Sequence, residues 1–139
     1  PTHNPDGDQL TNLQEYAFGT DPTVSSGGSI VWVNGGAVTN KGLPVAFDFS
    51  SGGGVDYRAV FGRRKDYGAA NLTYTVQFSA DNVLWQTAPV SPAPTLLTDP
   101  GAGNPSEIEA VSVPYPSLFV PLNGGGFGKA TFLRIGVSN

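Results

Sequence analysis

Near the start of the chain, Asn4-Pro5-Asp6-Gly7-Asp8-Gln9-Leu10-Thr11-Asn12-Leu13-Gln14-Glu15 sets out oxygen-bearing side chains at regular intervals. With Asn4 as position one, they fall at one (Asn4), three (Asp6), five (Asp8), nine (Asn12) and twelve (Glu15). The backbone carbonyl of Leu10 falls at seven. This is the ligand spacing of a twelve-residue loop of the EF-hand type. A hard divalent cation needs about six to eight oxygens, and a terminal Glu can give two at once. That favours calcium over the smaller, strictly octahedral magnesium. The spacing therefore predicts a calcium site formed by Asn4, Asp6, Asp8, Leu10 (through its carbonyl), Asn12 and Glu15. An acidic turn that only caps a helix, with Asp8 or Thr11 as the N-cap, would account for fewer of these residues. Position six, usually Gly at a left-handed turn, is Gln9. A non-glycine there costs about 1–2 kcal/mol, so a weakened site is expected, and Gly7 at position four does not relieve it.

A short helix should follow the loop, for Leu10, Leu13 and Ala17 recur at helical spacing with Phe18 close behind. Gly19 suits its C-cap, and Asp21-Pro22 stops further winding. No helix is predicted before the loop, which makes it half an EF-hand. A helix this short is marginal alone and must dock Leu10, Leu13, Tyr16 or Phe18 on something larger. Asp21 reads either as a further oxygen ligand or as a turn residue.

Asp6 to Pro22 resembles the thrombospondin type 3-like and dockerin-like calcium repeats of secreted bacterial proteins, notably large surface proteins of Verrucomicrobia and Planctomycetes. In those proteins a C-terminal β-sandwich often follows. Phe61-Gly62-Arg63-Arg64-Lys65-Asp66, Leu72 to Ser79, Trp85 and Phe132-Leu133-Arg134-Ile135 resemble that module. The resemblance implies an extracellular, calcium-binding unit without catalysis. The tandem second loop of many such arrays is replaced by Val24-Ser25-Ser26-Gly27-Gly28.

At 139 residues the chain suits one domain with a small appendage. Charged residues make up 13%, about half the usual share, while Gly (19) and Pro (12) are abundant. The net charge of −4, with Arg63-Arg64-Lys65 the one basic cluster, argues against nucleic-acid binding. No run is long enough for membrane insertion. Cysteine is absent, so disulfides stabilise nothing. A weak oxygen site fills at extracellular calcium levels, which points to secretion or the cell surface. The chain opens at Pro1 without Met or a signal peptide and reads as a piece of a longer secreted protein.

Beyond a linker at 25–29, apolar residues alternate and turn residues are frequent. Candidate strands are Ile30 to Asn34, Ala37 to Thr39, Pro44 to Ser50, Val55 to Arg64, Leu72 to Ser79, Val83 to Thr87, Thr95 to Leu97, Ile108 to Tyr115 and Lys129 to Val137. Their alternation turns Val45, Phe47 and Phe49 together. It does the same for Val55, Tyr57, Ala59 and Phe61, for Leu72, Tyr74, Val76 and Phe78, and for Thr131, Leu133, Ile135 and Val137. Seven to nine strands with no second helix predict an all-β fold, an antiparallel β-sandwich. The organisation is then a calcium loop and helix at 1–24, the linker at 25–29 and the sandwich at 30–139.

Catalysis finds little to stand on. His3 is the sole histidine, and Glu107 and Glu109 read as neighbours on a solvated face. Asp48, Asp56 and Asp66 fall at turns or outward positions. Trp32, Tyr57, Tyr67, Trp85 and Tyr115 are candidate platforms for a glycan, although strand aromatics are usually core and Trp85 fits a core role. Asn71-Leu72-Thr73 matches a glycosylation sequon. The leading expectation is a non-enzymatic, calcium-binding structural or adhesive module. Its partners would be proteins: copies of itself in a filament or matrix, or a neighbouring module of the same protein. The alternative is an accessory carbohydrate-binding domain.

Overall fold

A helix of seven residues needs both ends capped and one face buried, and α1 (Asn12–Phe18) has all three. Thr11 is the N-cap and forms a reciprocal capping box with Gln14. Gly19, left-handed at φ 75°, closes the C-terminus by donating its N–H to the Glu15 carbonyl. Ala17 and Phe18 are buried, Leu13 is half-buried and Tyr16 remains exposed.

In this computed structural model residues 3–25, 28–33, 37–38, 42–87, 95–96, 107–116 and 120–139 are described. The remaining secondary structure is strand: β1 (Trp32–Val33), β2 (Ala37–Val38), β3 (Val45–Asp48), β4 (Tyr57–Arg64), β5 (Thr73–Ser79) and β6 (Gln86–Thr87) come first. They are followed by β7 (Thr95–Leu96), β8 (Ile108–Pro114), β9 (Val120–Pro121), β10 (Phe127–Gly128) and β11 (Phe132–Ser138). The chain is all-β with one short helix. A four-stranded sheet runs β3-β4-β8-β7 and a three-stranded sheet runs β11-β5-β6. β1-β2 and β9-β10 form two further pairs, and every pairing of named strands is antiparallel.

One core cluster draws on both larger sheets and on the helix: Phe18, Ala59, Phe61, Val76, Phe78, Val111, Val113 and Ile135. Tyr74, Leu133 and Val137 pack against it, as the alternation of β5 and β11 predicts. A second cluster of Ile30, Val60 and Ala110, flanked by Val45, Phe47 and Phe49, covers the other face of β4 and β8. Burial on both faces explains why residues 59–62 of β4 are buried without alternation.

Several expectations change. Val55 and Tyr57 are 82% and 48% exposed, so the inward row starts only at Ala59. Trp85 is half-buried outside both core clusters, with the Arg134 guanidinium 4.3 Å from its ring centroid. Val83 and Leu84 lie exposed in a turn, leaving a strand only at Gln86–Thr87. The β9-β10 pair was not foreseen, because its strands are two residues each and carry no readable alternation. Among the described residues eleven strand segments are present, six of them just two residues long. The Asn34-Gly35-Gly36 turn and most of the loop from Ala88 to Pro105 lie outside the described residues.

The helix takes up position where β3 stops. Backbone groups of Tyr57 and Lys65 bond towards the β8 side, so the even-numbered residues of β4 present theirs to the β3 side. Pairing with β3 reaches only to Val60. Beyond it, the Arg64 N–H donates to Tyr74 Oη at 3.2 Å, and Tyr74 Oη donates to the Ala17 carbonyl at 2.7 Å. The same tyrosine ring stacks on Phe61 and meets Phe18. One phenol thus ties the last turn of the helix to both sheets.

Candidate metal centre

Short side chains wind the loop before the helix. The Gly7 N–H donates to Asn4 Oδ1 at 3.0 Å, and the Asn4 amide donates to the Asp8 carbonyl at 2.5 Å. The Leu10 N–H donates to Asp8 Oδ1 at 2.6 Å, and the Asp8 N–H reaches Asp6 Oδ1 at 3.4 Å. The left-handed residue is Gly7, at φ 75°, and Gln9 is not among the residues with positive φ. The strain expected at Gln9 is therefore absent, because the turn comes two residues earlier, where glycine meets it.

This winding brings carboxylate oxygens of Asp6, Asp8 and Glu15 within 4.8 Å of one another, an acidic group able to hold a metal ion. Glu15 is completely buried, and neither of its carboxylate oxygens has a hydrogen-bond partner. Asp6 Oδ2 and Asn12 Oδ1 are likewise buried and bare. Buried polar atoms are normally satisfied, and an unpaired buried carboxylate is costly. Burial, and then the negative charges of Asp6, Asp8 and Asp21, push the Glu15 carboxyl above its ordinary range. A cation among these oxygens would remove both penalties.

The six residues singled out by spacing thus differ in setting. Asp6, Asn12 and Glu15 hold bare buried oxygens, and Asp8 joins the acidic group while one of its oxygens serves the loop. Asn4 is exposed and its Oδ1 already accepts the Gly7 N–H. Leu10 buries its side chain, at 2% exposure. Asp21 Oδ1 accepts from the N–H and hydroxyl of Thr23, which is a turn role. Thr20 Oγ1, not foreseen, is a further buried oxygen without a partner. The hint in the sequence was its place directly after the Gly19 cap, where its N–H bonds the Glu15 carbonyl at 2.8 Å.

The chain matches no protein-family model, and no curated protein or solved structure is significantly similar to it.

Other acidic residues are held by partners. Glu109 pairs with Arg63 across β4 and β8 at 2.6 Å, Asp56 with Arg58 at 2.6 Å and Asp66 with Arg64 at 2.7 Å. These contacts hold the Asp56 and Asp66 carboxyls below the usual range. All four arginines also lie over aromatic rings: Arg58 over Phe49, Arg63 over Tyr67, Arg64 over Tyr16 and Arg134 over Trp85. Tyr115 packs against the main core. Side chains of Trp32 and its strand neighbours lie outside the described residues.

Proposed function

We propose that this chain is a non-enzymatic, calcium-stabilised extracellular module, built as a β-sandwich, that works by associating with protein. The observation that carries the calcium reading is the Glu15 carboxylate, fully buried, without a donor, beside Asp6 and Asp8. Oxygen-only ligands at EF-hand spacing, ending in a Glu able to bind bidentately, fit calcium best. Asp6, Asp8, Asn12 and Glu15 would supply side-chain oxygens, with the Leu10 carbonyl and Asn4 completing the loop. The sandwich reading rests on one core cluster shared by the two larger sheets.

Calcium here acts through stability. The loop leads into a single helix whose Phe18 belongs to the main core. An ion bound only by the folded state stabilises it by mass action, by about 2.7 kcal/mol at a hundredfold excess over the dissociation constant.

The arginines over two of the candidate rings favour protein over glycan as the partner. A sugar platform needs bare rings in a row, whereas Tyr67 and Trp85 carry guanidinium groups on their faces. Calorimetric titration tests the metal reading: wild-type protein should bind calcium at millimolar concentration, and Glu15→Ala should not. Equal heats from both proteins would reject the assignment.

A further inference from the structure

The three-stranded sheet ends on β11, which pairs with β5 on one side and with no described strand on the other. It is the longest such edge, at seven residues, against four for β3 and two each for β6 and β7. Exposed edges are ordinarily blunted by lysine, proline, bulges or brevity. Phe132 to Ser138 contains neither Lys nor Pro, and its register with β5 runs unbroken. Its one charge, Arg134, is drawn across the sheet: Nε donates to Gln77 Oε1 at 2.8 Å and the guanidinium lies over Trp85.

We propose that β11 pairs antiparallel with β11 of a second copy, about a two-fold axis through Ile135. Centring on Ile135 is the only two-fold register that pairs all seven residues. Leu133, Ile135 and Val137 face the core, so the pairing sets Leu133 opposite Val137 of the second copy and keeps the apolar row in phase. Arg134 then faces Gly136 of the second copy; the two arginines are diagonal neighbours, and each is drawn away from the new seam towards Gln77 and Trp85 of its own sheet. Two three-stranded sheets become one continuous sheet, and the interface is isologous. α1 also lies against β11, and Phe18 and Ile135 belong to the same core cluster. This deepens the association reading by naming its partner, and it does not depend on the metal.

Sedimentation equilibrium of the full chain, with calcium and with chelator, should show a monomer–dimer equilibrium in both. Gly136→Lys and Gly136→Glu fix the register. A Cβ at Gly136 meets only Thr75 atoms at 3.8 Å, and the residue is not left-handed, so both substitutions fit the monomer. Equal thermal melts at low concentration verify that. Lysine opposite Arg134 should weaken the dimer roughly fivefold, and glutamate should tighten it by a similar factor, since charges directly opposite on paired strands couple strongly enough for this. Non-specific repulsion predicts the reverse order, because lysine moves the net charge of −4 towards neutrality and glutamate away from it. A strict monomer in both conditions, or the reverse order, or no change with either variant, would overturn the pairing. Failure of calcium binding in calorimetry would remove the metal reading and leave this one standing.

Discussion

Two carboxylates in this protein, Asp81 in the turn after β5 and Glu15 on α1, have opposite surroundings. Asp81 is saturated with donors: the N–H groups of Val83 and Leu84 and the Ser79 hydroxyl reach Oδ1, and the Asn123 N–H reaches Oδ2. Those donors, the Asn123 N–H foremost, hold its carboxyl down at about 2. Glu15 has no donor among the described residues, and burial with three neighbouring aspartates pushes its carboxyl up. The first is a structural clip whose negative charge the protein itself stabilises, fastening the turn after β5 to the β9-β10 hairpin. The second is a carboxyl group that the protein buries among other acids and leaves without a donor among the described residues. That contrast is the strongest physical reason to assign the loop to a cation.

Removing the ion should give the largest effect. Chelation of the wild-type protein should lower stability by about 2.7 kcal/mol relative to a hundredfold excess of calcium, read by thermal or urea unfolding. Glu15→Gln sharpens the comparison, since it keeps the shape of the side chain and removes the unmatched charge. The variant should lose the calcium response yet be at least as stable as wild type in chelator. A variant that unfolds in both conditions would show that Glu15 is a structural residue like Asp81.

The Asp81 clip should behave in the opposite way. Asp81→Ala should lower the melting temperature equally with and without calcium. Its pH dependence follows from a folded-state pKa below the ordinary 3.8. Stability from this group is complete above the unfolded value and is lost as pH falls through about 2. Acid titration of wild type and Asp81→Ala should therefore converge at the acid end, and parallel curves would contradict the clip.

A smaller effect probes the link between the loop and the core. Tyr74→Phe removes the hydrogen bonds to the Ala17 carbonyl and the Arg64 N–H, each worth about 1 kcal/mol. Since Glu15 lies on the helix that Tyr74 holds, calcium affinity should fall about fivefold for each kcal/mol lost from helix seating. Unchanged affinity in calorimetry would uncouple the helix from the sheets. The smallest effect concerns the turn itself. Gln9→Gly should leave affinity nearly unchanged, whereas Gly7→Ala should cost about 1 kcal/mol, because the left-handed residue is Gly7.

Much of this contrast was visible in the residue pattern. The EF-hand spacing located Asp6, Asp8 and Glu15, because ligand positions in such a loop are set by local winding. The Gly19 cap and the inward rows of β5 and β11 were equally legible, being local periodicities. What the sequence hid depends on contacts across the fold. Trp85 reads as core by its type, but a cross-strand arginine covers it on the outside. Asp81 looks like an ordinary turn residue, since one of its donors, Asn123, comes from 42 residues away. Tyr74 looks like one more inward aromatic, and only the packing of α1 beyond the end of β3 gives its hydroxyl a role. Gln9 misleads because position six of a consensus loop turns left-handed, while this loop turns at Gly7.

A crystal grown in millimolar calcium and measured for anomalous scattering tests the central claim most directly. The account predicts one ion per chain among Asp6, Asp8 and both oxygens of Glu15, with oxygen distances of roughly 2.3–2.6 Å. Finding Glu15 protonated or hydrogen-bonded to a protein donor, with no anomalous peak beside it, would contradict the account.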